Sequence, residues 1–130
     1  MMGRYYDHYS EIPESDWPWR YFRPVEIACK GDGAILVQDE AMHRLEALRE
    51  RLARPLIINS GFRSPWYNAA KDGAPRSQHL VGKAFDIRLP DGMAHEELIA
   101  AAMAVGFTGI GRYPTFVHVD VGPARQWTGP

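Results

Sequence analysis

The 130-residue sequence holds a single cysteine, Cys29. An internal disulfide and a cysteine-rich zinc finger are both excluded, and any metal must be held by histidines and carboxylates. Cys29 itself reads as a small, half-buried packing residue. No apolar run approaches the ~20 residues of a membrane-spanning helix, so no membrane insertion is expected. Charge of one sign is also missing. Fifteen Lys and Arg against sixteen Asp and Glu leave a formal net charge of −1, without the basic footprint of a nucleic-acid partner. There is no repeat and no low-complexity tract. The stretch from Met1 to Tyr9 has no apolar core of a secretory leader. The expectation is a protein that is cytoplasmic as synthesised.

What is present suits one globular domain with its own core. The first ~35 residues are punctuated by Pro13, Pro18, Pro24, Gly31 and Gly33 and carry Trp17, Trp19, Tyr21 and Phe22. They read as an irregular strap over a core. From Gln38 to Ala53 the pattern is helical, with Met42, Leu45, Leu48 and Leu52 in one apolar stripe and Pro55 beyond its end. Leu56-Ile57-Ile58 reads as a short buried strand running into Asn59, Ser60 and Gly61. Gly61 to Gln78 shows no period and reads as a long loop, a common place for function. Lys83 to Leu89 alternates, with Phe85, Ile87 and Leu89 against Ala84, Asp86 and Arg88. Met93 to Val105 predicts a second helix, with Asp91 as cap and Gly106 as stop. Thr115 to Val121 alternates again, Val117, Val119 and Val121 opposing Phe116, His118 and Asp120. The fold class this predicts is α+β, a small and largely antiparallel sheet with flanking helices.

The ionisable groups on those strands carry the chemistry. Asp86 and His118 both lie opposite the apolar face, and neighbouring strands would bring them within reach of one ion. His79 precedes Asp86 by seven positions, with Gly82 permitting a sharp turn and Ala84 leaving space. Two imidazoles and a carboxylate suit zinc, and three protein ligands leave a fourth position for water. Histidines on loops and strands are usually surface or hydrogen-bonded residues, so the trio by itself does not establish a metal site. His43, on the polar side of the first helix, and His95, near the start of the second, read as solvated. Asp120, two residues after His118, could orient an imidazole or accept a proton.

Taken together these residues resemble a known family. Ser77-x-His79-x-x-Gly82-x-Ala84-x-Asp86 fits the SxHxxGxAxD signature of zinc D-Ala-D-Ala carboxypeptidases and related murein peptidases, which share the hedgehog/DD-peptidase fold. His118-x-Asp120 is similar to their late HxD element. Ser60-Gly61-Phe62-Arg63 with Tyr67-Asn68 resembles their SGYR…YN segment, Phe replacing Tyr at 62. Phe22 and Glu26, and the helix from Leu45 to Arg49, resemble two further elements. The resemblance covers roughly residues 22–127 and implies an N-terminal extension, 1–21, packed on one zinc peptidase domain, 22–130.

Several roles follow from the resemblance. His79, Asp86 and His118 would bind one zinc ion. Arg63 would hold a substrate carboxylate or polarise the scissile carbonyl, its planar fork suiting that task, or else tie down the long loop. Ser77 and Gln78 would meet the substrate backbone or shape the turn before His79, and Tyr67 and Asn68 belong to the same substrate-binding segment. Several branches place an acid three residues before the last histidine. Thr115 stands there and cannot serve, which leaves Asp120 as the best-placed base or as the partner orienting His118. Tyr113, Asp72 and Glu26 are further candidates. Trp127 resembles an aromatic that follows HxD and is expected to pack the tail. The implied substrates are peptidoglycan stem peptides or muropeptides, cut by a carboxypeptidase or a cross-bridge endopeptidase. A protein with no visible leader and a wall-directed family suggests a phage or prophage enzyme released by a separate route. The rival expectation is a non-catalytic zinc-stabilised module for wall binding or particle assembly. No oligomeric state follows.

Overall fold

The computed structural model describes residues 3–130. The elements run β1 (Arg4–Tyr6), α1 (Pro24–Ile27), β2 (Ile35–Val37), α2 (Asp39–Leu52), β3 (Ile58–Ser60), α3 (Pro65–Ala70), β4 (Ala84–Arg88), α4 (His95–Ala104), β5 (Gly109–Arg112), β6 (Phe116–Asp120) and β7 (Arg125–Thr128), with short 3₁₀ turns between. β1 and β2 form a two-stranded antiparallel sheet. The main sheet has the order β3-β4-β6-β5-β7 and is antiparallel except where β7 runs parallel to β5. The predicted class, α+β with a largely antiparallel sheet, is what forms. No helix of the described residues is long and apolar enough to cross a membrane.

The sheet has one apolar face. Phe85 and Ile87 of β4 and Val117 and Val119 of β6 are all at most 1% exposed. They pack against the apolar stripe of α2 (Met42, Leu45, Leu48) and against Leu98 and Ala102 of α4. α2 begins with Asp39 and Glu40 in its first turn, where the dipole favours negative charge, and stops at Ala53, which turns left-handed (φ 54°). The aromatic N-terminal segment does strap this core. Trp19 and Phe22 are buried in it, and the Trp19 indole donates to exposed His43 at 2.9 Å.

Several boundaries differ from expectation. The strand after α2 begins two residues late. Leu56 is buried but Ile57 is 55% exposed, and the ladder runs through Ile58, Asn59 and Ser60 because Ser60 pairs with Asp86. The long loop contains α3, whose six residues are too few to show a period. Ser64 followed by Pro65 marks its start. Cap and length also shift in α4, where Ala94, not Asp91, precedes the first turn. Strands β1, β2, β5 and β7 gave no signal, being three or four residues long. Cys29 is fully buried rather than half-buried.

A carboxylate ties α3 in place. Asp32 accepts from the Ala34 amide (3.0 Å), the Ser64 hydroxyl (2.7 Å) and the Trp66 indole (2.8 Å). Its partial desolvation would raise its pKa, but these hydrogen bonds outweigh that and hold it down to about 2. A depressed carboxyl contributes stability above its unfolded value, near ~3.9, and loses it as pH falls toward the folded one. Asp32→Asn is therefore expected to flatten the pH dependence of the urea midpoint between about pH 4 and 2. An unchanged slope would remove Asp32 from the account of α3.

Candidate metal centre

Two rows of residues cross the outer face of the sheet. One is Ser60, Asp86, His118, Gly111 and Trp127; the other is Ala84, Asp120, Gly109 and Arg125. Alternation puts every member on the side opposite the core. The glycines of β5 matter here. A Cβ on Gly111 would run into the Trp127 indole, and one on Gly109 into Asp120 and Arg125. Bare backbone in β5 lets the side chains of β7 lean across and reach those of β6.

His79 arrives from outside the sheet. Ser77 caps the 3₁₀ turn Gln78–Val81, accepting from the His79 amide at 3.2 Å. Gly82 ends the turn at φ 72°, with the Leu36 carbonyl where a Cβ would sit, so only glycine fits. That turn lays His79 over Asp86.

The hydrogen bonds define which atoms face one another. His79 Nδ1 lies 2.7 Å from the Gly61 carbonyl. A carbonyl only accepts, so Nδ1 carries the proton and Nε2 is left with its lone pair. His118 Nε2 lies 2.7 Å from Asp120 Oδ2. Asp120 also accepts from Arg125 at both terminal nitrogens (2.9 and 2.8 Å) and from the Gly122 amide (2.9 Å). Four donors fill the roughly four lone-pair positions of a carboxylate, so His118 Nε2 is a donor and Nδ1 is free. Both remaining lone pairs converge on Asp86 Oδ1, His79 Nε2 at 3.2 Å and His118 Nδ1 at 2.9 Å.

Two ring nitrogens and a carboxylate oxygen facing one point are satisfied by positive charge between them, a metal ion or protons on the rings. Ligands ~2.0–2.1 Å from a tetrahedral zinc stand about 3.3 Å apart, close to the spacings found. All three ligand atoms lie within 4.8 Å of one another, and among the described residues no fourth His, Cys, Asp or Glu donor joins them. The electrostatics agree. Burial would raise Asp86, but the His118 and His79 rings that face it outweigh that and keep the carboxyl well below its usual range. Burial would lower His118, yet Asp120 and then Asp86 pull it upward. Positive charge is favoured where the three side chains meet. Each imidazole also donates its other N–H to an oxygen, His79 to the Gly61 carbonyl and His118 to Asp120, which fixes both rings.

Around this point lies a cleft of about 460 Å³ lined by Arg63, Lys71, Arg76, Gln78, Tyr113 and Trp127 among others. Arg63 is the hub of its floor. It donates to Ser60 Oγ (3.0 Å), Asn68 Oδ1 (3.2 Å) and Asp86 Oδ2 (3.1 Å). Two of its five N–H groups remain without a partner among the described residues.

A family model described as Peptidase M15 matches residues 20–120. The chain belongs to the peptidase M15 family. Among M15-related proteins, the peptidoglycan L,D-endopeptidase MepK of Escherichia coli (strain K12) is 34% identical over 95 residues, 68% of this chain and 51% of its own length. The zinc D-Ala-D-Ala carboxypeptidase of Streptomyces albus G is 35% identical over 131 residues, 94% of this chain and 48% of its own. The chain spans about half the length of these relatives. The four helices and mostly antiparallel sheets of the described residues are consistent with the hedgehog-like M15 fold.

The residues singled out from the M15 signature take distinct places. His79, Asp86 and His118 converge as described. Asp120, read as either base or orienting partner, is wholly buried, and its oxygens are engaged by His118, Arg125 and the Gly122 amide. Asn68 is not exposed to the cleft. It is 4% accessible and its amide is committed to Arg63 and the Ala74 carbonyl. Tyr67 lines a smaller lobe beyond Arg63. Ser77 shapes the turn, and Gln78 lies on the cleft wall. Trp127, expected to pack the tail, instead walls the cleft with its ring 5.1 Å from that of His118. Arg125 and the Gly61 carbonyl were missed. A carbonyl has no sequence signature, and Arg125 is brought to Asp120 only by the parallel pairing of β7.

Proposed function

We propose that this chain is the catalytic unit of a zinc peptidase that hydrolyses D-amino-acid-containing bonds of peptidoglycan stem peptides. The observation that carries this is the convergence of two imidazole lone pairs and one carboxylate oxygen in an open cleft, each imidazole braced from behind. That donor set suits zinc, which when bound would lower the pKa of a coordinated water and polarise a peptide carbonyl. The protein's own groups do the rest. Arg125 and Asp120 hold the His118 ring in one tautomer. Arg63 fixes Asp86 and offers its two unpartnered N–H groups to a substrate carbonyl or carboxylate. Lys71, Arg76 and Arg125 add positive charge on the cleft wall, complementary to the carboxylates of stem peptides.

The endopeptidase reading is favoured over the carboxypeptidase one. A second lobe of about 280 Å³, lined by Asn59, Ser60 and Tyr67, continues past Arg63 and Asp86 and shares Lys71 and Phe116 with the first. Such a cleft suits a chain running through better than one that ends at a closed pocket. Zinc-loaded protein incubated with purified muropeptides should yield split cross-bridges or shortened stems by mass spectrometry. Release of free D-alanine from a monomeric pentapeptide would point to the carboxypeptidase instead. A complete absence of products would reject the enzyme.

One observation favours a non-catalytic zinc-stabilised wall binder. Thr115 is exposed at the position where an acid is expected, and Asp120 has no lone pair to spare for a water. A binder would co-sediment with murein sacculi and leave them intact.

A further inference from the structure

Tyr113 is a cleft residue held at several points, none of them on the metal triad. It directly follows β5, and its amide donates to the Phe116 carbonyl at 3.0 Å. Its own carbonyl accepts from His95 Nε2 at 2.7 Å. Its ring stacks on Phe116, centroids 4.4 Å apart and 5° from parallel. The Trp127 indole N–H reaches its hydroxyl oxygen at 2.9 Å. Backbone, ring and oxygen are all pinned.

The last contact has a direction. An indole nitrogen only donates, so the phenol oxygen is the acceptor and its own proton must be given elsewhere. Among the described residues Trp127 is the hydroxyl's one partner, and Tyr113 lines the cleft together with His79, Asp86 and His118. The donor is therefore preorganised and unspent. Arg63 and this pair flank the triad from opposite ends. Arg63 bonds Asp86, whereas the Trp127 ring lies 5.1 Å from that of His118.

We propose that Tyr113 is a catalytic residue: its hydroxyl donates a hydrogen bond to the carbonyl oxygen of the scissile peptide as that oxygen gains negative charge, and Trp127 positions it. The inference rests on the peptidase reading above. No bond to tyrosine forms or breaks. Fixed donors aimed at a developing oxyanion are worth ~10²–10³ in kcat each, because they need no reorganisation at the moment of reaction.

Tyr113→Phe keeps the stacked ring and removes one oxygen. It is expected to lower kcat about 10²-fold with KM, zinc content and melting temperature essentially unchanged. A phosphinate analogue of the cleaved peptide bond, titrated calorimetrically into zinc-loaded protein, should bind Tyr113→Phe more weakly by a similar factor. Trp127→Phe should show a smaller loss of the same kind. The double variant should be no worse than Tyr113→Phe, since the two side chains act as one unit. The proposal is overturned by a kcat within about threefold of wild type, by a change confined to KM, or by additive effects of the two substitutions. Failure of the wild type to cleave any muropeptide would remove the peptidase reading. Tyr113 is still tested there by the phosphinate, and equal affinities would overturn its role.

Discussion

Replacing His118 by alanine is expected to abolish zinc binding and peptide hydrolysis together. His79 Nε2, His118 Nδ1 and Asp86 Oδ1 all face one point, and two remaining ligands do not hold a divalent ion against water. Activity should fall to that of the chelator-treated wild type, and added zinc should restore the wild type only. Stability gives a second measure. A ligand that binds only the folded state adds ~4 kcal/mol at 1,000 times its dissociation constant. For a chain of this size that is a rise in Tm on the order of 10 °C. The wild type should show such a rise when zinc is added, and His118→Ala should not. A variant that retains stoichiometric zinc and its activity would dismantle the metal centre as described.

Asp120→Asn is expected to weaken zinc by about 10–100-fold, the usual cost of a lost outer-shell partner. The carboxylate is wholly buried and takes four donors. An amide in its place turns an NH₂ group toward Arg125 or toward His118, leaving donors opposed. Stability should fall by about 1–3 kcal/mol, the range for a buried polar group left unpaired. Assaying at limiting and at saturating zinc separates the two roles read for this residue. If Asp120 orients His118, high zinc restores most of kcat. If it accepts the proton from the attacking water, saturating zinc leaves kcat low. The acid side has a fixed sign too. Burial would raise the Asp120 carboxyl, but hydrogen bonds from His118, then Arg125 and the Gly122 amide, hold it well below the usual carboxylate range. Its contribution is therefore complete above about pH 4 and is lost only as the solution becomes more acidic.

The elements that could be read from the chain are those whose period is long enough to register. α2 shows four apolar residues at three- and four-residue steps, and β4 and β6 alternate cleanly because one face is core and the other is site. The elements that could not be read are short or lack side chains. β5 is Gly-Ile-Gly-Arg, and a strand whose outer face is bare backbone has no alternation to detect. α3 has six residues, and β7 has only one half-buried side chain, Trp127.

The division at the site follows the same logic. Spacing and strand alternation made His79, Asp86 and His118 candidates, with Asp86 and His118 on one face and His79 on a turn capped by Ser77 and ended by Gly82, but it was their likeness to the M15 signature that singled them out as ligands. Which nitrogen of each ring points inward, which donors Asp120 accepts from, and that Arg125, Trp127 and Tyr113 belong to the cleft were decided by tertiary structure. The His79 ring is set by the Gly61 carbonyl, and the places of Arg125 and Trp127 depend on β7 pairing parallel to β5 and leaning over two glycines, contacts between segments whose local sequences carry no trace of each other.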